Sequence, residues 1–227
     1  MQDIVLYDKQ IIGFLEELWG DGFLSPGGPD EVALVINKID IAGKHVLDIG
    51  SGSGACAVLL VSKHRAARVT GIDVEDPVCK AANLRAKEAG VEDRVEILKI
   101  NPGPFPFDAS NFDIVFSKDS IIHLQDKAEM ARQAFRVLKP GGHFAASDWL
   151  ISHDGDPSPQ MADYIKEEGL DFAMASPATY LQAMQDAGFV DVELANRNGW
   201  YAKVAAQELA WLTGKERDGL SERHGAD

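Results

Sequence analysis

At 227 residues the chain has room for one α/β domain with a modest insertion, and 45% apolar with 26% charged residues is a globular composition. A formal net charge of −14 repels phosphate backbones and anionic lipid, so neither nucleic acid nor a membrane surface is expected as a partner. The two cysteines, Cys56 and Cys79, form no CxxC pattern, so neither a zinc site nor a disulfide framework is predicted. The N-terminus shows no basic stretch leading into an apolar one, and no apolar run approaches the roughly 20 residues a bilayer span needs. A cytoplasmic monomer or homodimer is the expectation.

Ile11, Ile12, Phe14, Leu15, Leu18 and Trp19 keep helical spacing and predict an amphipathic helix that stops at Gly20-Asp21-Gly22. A Gly/Pro-rich joint at 25–29 leads to a second helix over about 30–39, so residues 1–40 are expected to form a helical lid on a core of 41–227. Strands are predicted at 45–49, 68–73, 94–98, 112–117 and 143–148, with helices near 54–64, 75–89 and 126–138. The last of these opens on Asp126 with Glu129 three residues on, a capping-box pattern, and stops at Lys139-Pro140-Gly141-Gly142. This alternation predicts a doubly wound, mostly parallel sheet with helices on both faces. Between 150 and 176 the rhythm breaks into an insertion holding a helix around 158–168. Ser176-Pro177 opens another helix that ends at Gly188, and a sixth strand is predicted at 189–194. A helix near 202–213 and a charged tail follow. No seventh strand is predicted.

Chemistry concentrates where the first strand turns into a helix. Val46-Leu47-Asp48-Ile49-Gly50-Ser51-Gly52-Ser53-Gly54-Ala55 places glycines at a tight corner where a ligand can approach the backbone. The same spacing satisfies the looser dinucleotide pattern GxGxxA, so glycines alone do not choose the cofactor. Asp48, two residues before the first glycine, suits a ligand whose near end carries an ammonium and is awkward beside a pyrophosphate. Gly71-Ile72-Asp73 ends the second strand where a carboxylate can accept both hydroxyls of a ribose.

Taken with Asn111-Phe112-Asp113-Ile114-Val115 and Leu138-Lys139-Pro140-Gly141-Gly142, these segments resemble the class I methyltransferases in order and spacing, over about 45–195. The resemblance implies S-adenosylmethionine as cofactor, bordered by Gly50, Gly52 and Ser117, with Asp73 on the ribose. Val74 would pack on the adenine. Asn101 would take the adenine amino group, its side-chain carbonyl replacing a commoner aspartate. An NAD(P)-dependent oxidoreductase remains the rival from another class.

A narrower similarity lies outside the cofactor segments. Tyr7, Trp19-Gly20-Asp21-Gly22-Phe23-Leu24-Ser25-Pro26-Gly27-Gly28 and Phe116-Ser117-Lys118-Asp119-Ser120-Ile121-Ile122-His123-Leu124 look like phosphoethanolamine N-methyltransferases. That likeness implies that Ser25 meets the cofactor carboxylate, that Asp119 orients an acceptor amine, and that Tyr7 pairs with His123 at the transfer centre. The chemistry agrees, because a protonated amine has no lone pair and imidazole is the usual group to take its proton. Asp119 and His123 would share a face if their segment is helical.

The insertion departs from that family. Trp149 follows Asp148 where Asp-Tyr is usual, and Tyr164 matches one phosphate-contacting tyrosine. The remaining basic and tyrosine positions have no counterpart in 166–172, where Lys166 sits beside Glu167, Glu168 and Asp171. A small-molecule amine without phosphate is therefore the expected acceptor, with Trp149 placed for a cation–π contact. Methylation of oxygen, sulfur or carbon is the alternative.

Overall fold

The computed structural model describes residues 7–169, 172–215 and 217–225. Helix α1 (Lys9–Trp19) starts where the Asp8 carboxylate accepts from the Gln10 and Ile11 amides, both at 2.9 Å, and ends at Gly20, whose φ is +102°. Helix α2 (Gly28–Val35) stops short of the predicted 39, the chain turning at Ile36.

Five parallel strands follow: β1 (His45–Ile49), β2 (Arg68–Asp73), β3 (Val95–Lys99), β4 (Phe112–Lys118) and β5 (Leu138–Ser147), in the order β3-β2-β1-β4-β5. Between them run α3 (Ala55–Ser62), α4 (Asp76–Glu88) and α5 (Lys127–Val137), with α6 (Pro159–Glu168), α7 (Pro177–Ala187), α8 (Asn198–Leu212) and α9 (Arg217–His224) after the sheet.

Alternation along the strands divides the core into two layers. Val46, Val69, Val95, Ile97, Ile114 and Phe116 pack with the helices α2 to α4, while Leu47, Ile49, Ile72, Phe112 and Val115 pack with α5 and α7. Side chains such as Leu47 and Val46, wholly removed from solvent, each contribute about 1.5–3 kcal/mol. Asp48 lies between Leu47 and Ile49 in this pattern and is dragged into the interior by the strand's own periodicity. It is 1% exposed.

Three expectations change. Strand β5 begins at Leu138, not 143, because Leu138 pairs with Phe112 before a register shift, which takes the Lys139–Gly142 turn into the strand. The capping box on α5 is half made: Asp126 accepts from the Glu129 amide at 2.8 Å, but the Glu129 carboxylate turns to Arg132 and Gln133. The sixth strand at 189–194 does not form among the described residues. Phe189 packs on Phe135 and Phe144, but Val190 and Leu194, on the face a strand would bury, are 81% and 51% exposed, and no neighbouring strand offers a ladder.

The charged tail, for which the sequence predicts no element, folds as α9. Arg223 and His224 both grip Glu17 on α1, and Leu220 is buried. Trp19 donates to Glu208 of α8 at 2.7 Å, so the C-terminal helices pack on the N-terminal one. Among the described residues no helix is long and apolar enough to cross a membrane.

Candidate active site

In a sheet of this order the chain leaves β1 in one direction toward β2 and β3 and in the other toward β4 and β5, opening a crevice at the carboxyl ends of the strands. The predicted residues Asp48, Gly50, Gly52, Asp73, Asn101, Ser117, Asp119 and Trp149 all fall at those ends.

The glycine corner is closely engaged by the protein itself. The Gly50 and Ser51 amides donate to the Ile72 carbonyl at 2.8 and 3.1 Å, Gly52 donates to Asp73 Oδ2 at 3.0 Å, and Ala55 donates to the Gly22 carbonyl at 3.3 Å. A pyrophosphate needs free amides at such a corner, and these four are committed, which disfavours the dinucleotide alternative. Gly50 has φ +66°, and a Cβ there would lie 1.6 Å from Ser120 Oγ. Gly50→Ala is thus expected to cost stability by about 1–3 kcal/mol from backbone strain alone and to displace Ser120. Thermal melting and calorimetric binding of S-adenosylhomocysteine would show both losses, with partial rescue in Gly50→Ala/Ser120→Gly.

The carboxylates at this corner favour a cation. Asp48 Oδ2 is buried with no hydrogen-bond partner, and burial, then the neighbouring Asp73 charge, push its carboxyl up to about 7. Half-buried Asp73 accepts from Glu75 at 3.0 Å through Oδ1; desolvation raises its carboxyl while the amide bonds from Glu75, Gly52 and Val74 oppose that rise. Val74 beside it is 46% exposed, a free apolar surface for a flat ring. Asn101 is exposed just past β3. Ser117 is buried, and its hydroxyl donates to the Ile49 carbonyl at 2.9 Å, tying β4 to β1.

Across the crevice, Asp119 follows β4 in a left-handed conformation, φ +54°, a strain tolerated by aspartate and commonest at working sites. Its Oδ1 accepts from Ser147 at 3.3 Å and its Oδ2 from Lys118 at 2.7 Å. The single turn of 3-10 helix at Ile121–His123 starts only after it, so Asp119 and His123 are not helical neighbours as their spacing predicts. The His123 ring instead faces Phe172 at 5.3 Å.

Aromatic groups continue from there: Phe172 to Tyr164 at 6.4 Å, and Trp149 against Tyr201 at 4.7 Å in an edge-on contact. The Tyr164 hydroxyl is raised by burial and by its hydrogen bond to Glu168. Tyr201 is pushed up to about 12 by burial, with Glu208, Glu168 and Asp119 adding to it. Tyr7 is likewise pushed up to about 12, by burial and then by the charges of Asp73, Glu168 and Glu75. Tyr201, Lys118 and Ser120 carried no signal of their own in the sequence. Asp171 lies outside the described residues.

A parallel sheet, a glycine corner and two acids that favour positive charge are the features expected of a class I S-adenosylmethionine-dependent methyltransferase. Residues 47–146 match the family described as "Methyltransferase domain", and S-adenosylmethionine is the cofactor. Within the class, the chain is similar to phosphoethanolamine N-methyltransferase 1 of Triticum aestivum, 34% identical over 208 residues, which are 91% of this chain and 41% of that protein. It is 29% identical to the 27-O-demethylrifamycin SV methyltransferase of Amycolatopsis mediterranei over 224 residues, 92% of this chain and 79% of that one. Phosphoethanolamine N-methyltransferase 2 of Haemonchus contortus, solved with phosphomonomethylethanolamine and S-adenosylhomocysteine, shares the fold at a TM-score of 0.86 and 24% identity, covering 97% of this chain and 51% of that one. The chain spans about two fifths of the length of the wheat relatives it matches.

Proposed function

We propose that this protein methylates the nitrogen of a small, unphosphorylated amine. The observation that carries the reading is the character of the acceptor side: Trp149 packs on Tyr201, the Tyr164 hydroxyl bonds to Glu168, and the charges of Glu168 and Asp119 reach Tyr201, a surface suited to a protonated or alkylated nitrogen. The wheat and nematode relatives are named for a phosphorylated amine. Against a phosphate here stands the charge of the insertion, whose exposed Lys166 is followed by Glu167 and Glu168, both exposed.

When bound, the cofactor supplies an activated methyl group on a sulfonium. Asp48 meets its ammonium, Asp73 its ribose, Ser25 its carboxylate, with Val74 and Asn101 at the adenine. Asp119 orients the acceptor nitrogen, His123 takes its proton so that the lone pair is free, and Tyr7 closes the site over both. Rate enhancement comes from positioning and exclusion of water, since no covalent enzyme intermediate is needed. The N-terminal helices act as the lid, and the free thiols Cys56 and Cys79 suit a reducing cytoplasm.

A labelled-methyl screen over ethanolamine, its mono- and dimethyl forms and their phosphorylated counterparts tests the reading. Methyl transfer to nitrogen of the unphosphorylated set supports it; calorimetric preference for phosphoethanolamine, or label on oxygen, overturns it. Asp73→Ala should abolish S-adenosylhomocysteine binding. His123→Ala should lower turnover by about 10²–10⁴ with cofactor affinity nearly unchanged; joint loss of both would remove His123 from the proton-transfer role.

A further inference from the structure

Lys118 is the last residue of β4, and its side chain is only 3% exposed. A buried ammonium is costly unless each N–H finds an acceptor. All three do: Ser25 Oγ at 2.5 Å, the Pro26 carbonyl at 2.8 Å and Asp119 Oδ2 at 2.7 Å. Two of these acceptors belong to the segment that follows α1, some ninety residues earlier in the chain, and the third to the acceptor side of the crevice. The same segment also reaches the glycine corner, where Leu24 Cδ1 lies 3.2 Å from the place a Cβ on Gly52 would take.

We infer that Lys118 is a positioning residue that couples the two halves of the site, holding the 25–26 loop onto the cofactor corner and fixing Asp119 toward the acceptor with one ammonium. This rests on the reading of Asp119 as the acceptor-side carboxylate. Coupling through a shared group is reciprocal, so a change on the acceptor side must be felt by the cofactor. Loss of the ammonium frees the loop and leaves Asp119 uncompensated. Loss of the Asp119 charge leaves Lys118 pulled by the loop alone.

The test is calorimetric binding of S-adenosylhomocysteine, without acceptor, to the full chain carrying Lys118→Met, Lys118→Arg, Asp119→Asn and Lys118→Met/Asp119→Asn, with hydrogen exchange of the amides at 22–28 as second readout. Lys118→Met should weaken binding about tenfold and Lys118→Arg about twofold. Asp119→Asn should weaken it about fivefold although residue 119 lies on the acceptor side, and should add nothing in the Lys118→Met background. Amides at 22–28 should exchange faster in Lys118→Met and in Asp119→Asn. A purely structural lysine would lower the melting temperature and leave affinity unmoved.

Affinity within twofold of the native value in Asp119→Asn, or full additivity in the double variant, overturns the coupling. Should Lys118→Met not fold, Asp119→Asn alone decides. Labelled-methyl turnover separates the two readings: a shifted affinity with native turnover in Asp119→Asn sinks the acceptor role of Asp119 and leaves the coupling standing, whereas lost turnover with native affinity does the reverse.

Discussion

Asp48→Asn is expected to melt higher than the native apoprotein at pH 8 and to bind S-adenosylmethionine at least tenfold more weakly. In the folded protein, burial and then Asp73 push this carboxyl from 3.8 to about 7. A group whose folded value lies above its unfolded one favours folding only while protonated. Its full contribution is present below about pH 4, declines as pH rises toward 7, and is gone above that. Ionised Asp48 therefore costs the apoprotein on the order of 4 kcal/mol at pH 8. The asparagine returns part of this to its own imperfectly satisfied amide, so a net gain of about 2 kcal/mol, roughly 5 °C, is expected.

Binding should show the opposite preference. A cation arriving at Asp48 selects the ionised form, so cofactor affinity should rise up to tenfold per unit between about pH 5.5 and 7 and level off above. Asp48→Asn should flatten that profile. Calorimetry from pH 5.5 to 8.5 with both proteins checks the slope; parallel profiles would show that Asp48 does not face the cofactor's positive charge. Stability and affinity are expected to trade against each other at this residue, since a cationic ligand would relieve the same buried oxygen that has no hydrogen-bond partner.

What was legible in the sequence follows from what is local. Each strand from β1 to β4 carries its own apolar run, and Asp48, Gly50 and Asp73 sit within a few residues of the strand ends that display them, so motif and position coincide. Asp119 and His123 are proposed by likeness alone, and the helical face their spacing predicts does not form, since a left-handed residue at 119 separates strand from turn. The sixth strand failed for a non-local reason: alternation at 189–194 describes a half-buried ribbon, while a strand exists only beside another. Helix α9 was missed in the converse way, because its stability comes from Glu17, 206 residues away. Lys118 and Tyr201 belong to the same class. Their roles lie in partners that meet them only after the crevice has closed, and no spacing announces that.

Asp148 is the remaining case, and its removal should unsettle the turn that presents His123. Its Oδ1 accepts from the Ile122 amide at 3.0 Å, and its Oδ2 takes the hydroxyl of Tyr180 from α7. Burial raises its carboxyl to about 7, with the Tyr180 and Ile122 hydrogen bonds and the Lys127 charge opposing that rise. Buried Lys127 donates to the Ile121 and Leu124 carbonyls at 2.6 and 2.5 Å, so one aspartate and one lysine hold both sides of the same turn. Asp148→Ala strands the Ile122 amide and the Tyr180 phenol and removes a carboxylate whose charge favours the Lys127 ammonium, and it should cost about 3 kcal/mol in chemical denaturation. Tyr180→Phe keeps the volume, removes one hydrogen bond, and should cost about 1–2 kcal/mol. If the network serves the turn and not merely the core, Tyr180→Phe will lower kcat severalfold under conditions where the protein is fully folded, with KM for S-adenosylmethionine unchanged. A loss confined to stability would mean that His123 is held by other contacts, Phe172 foremost among them.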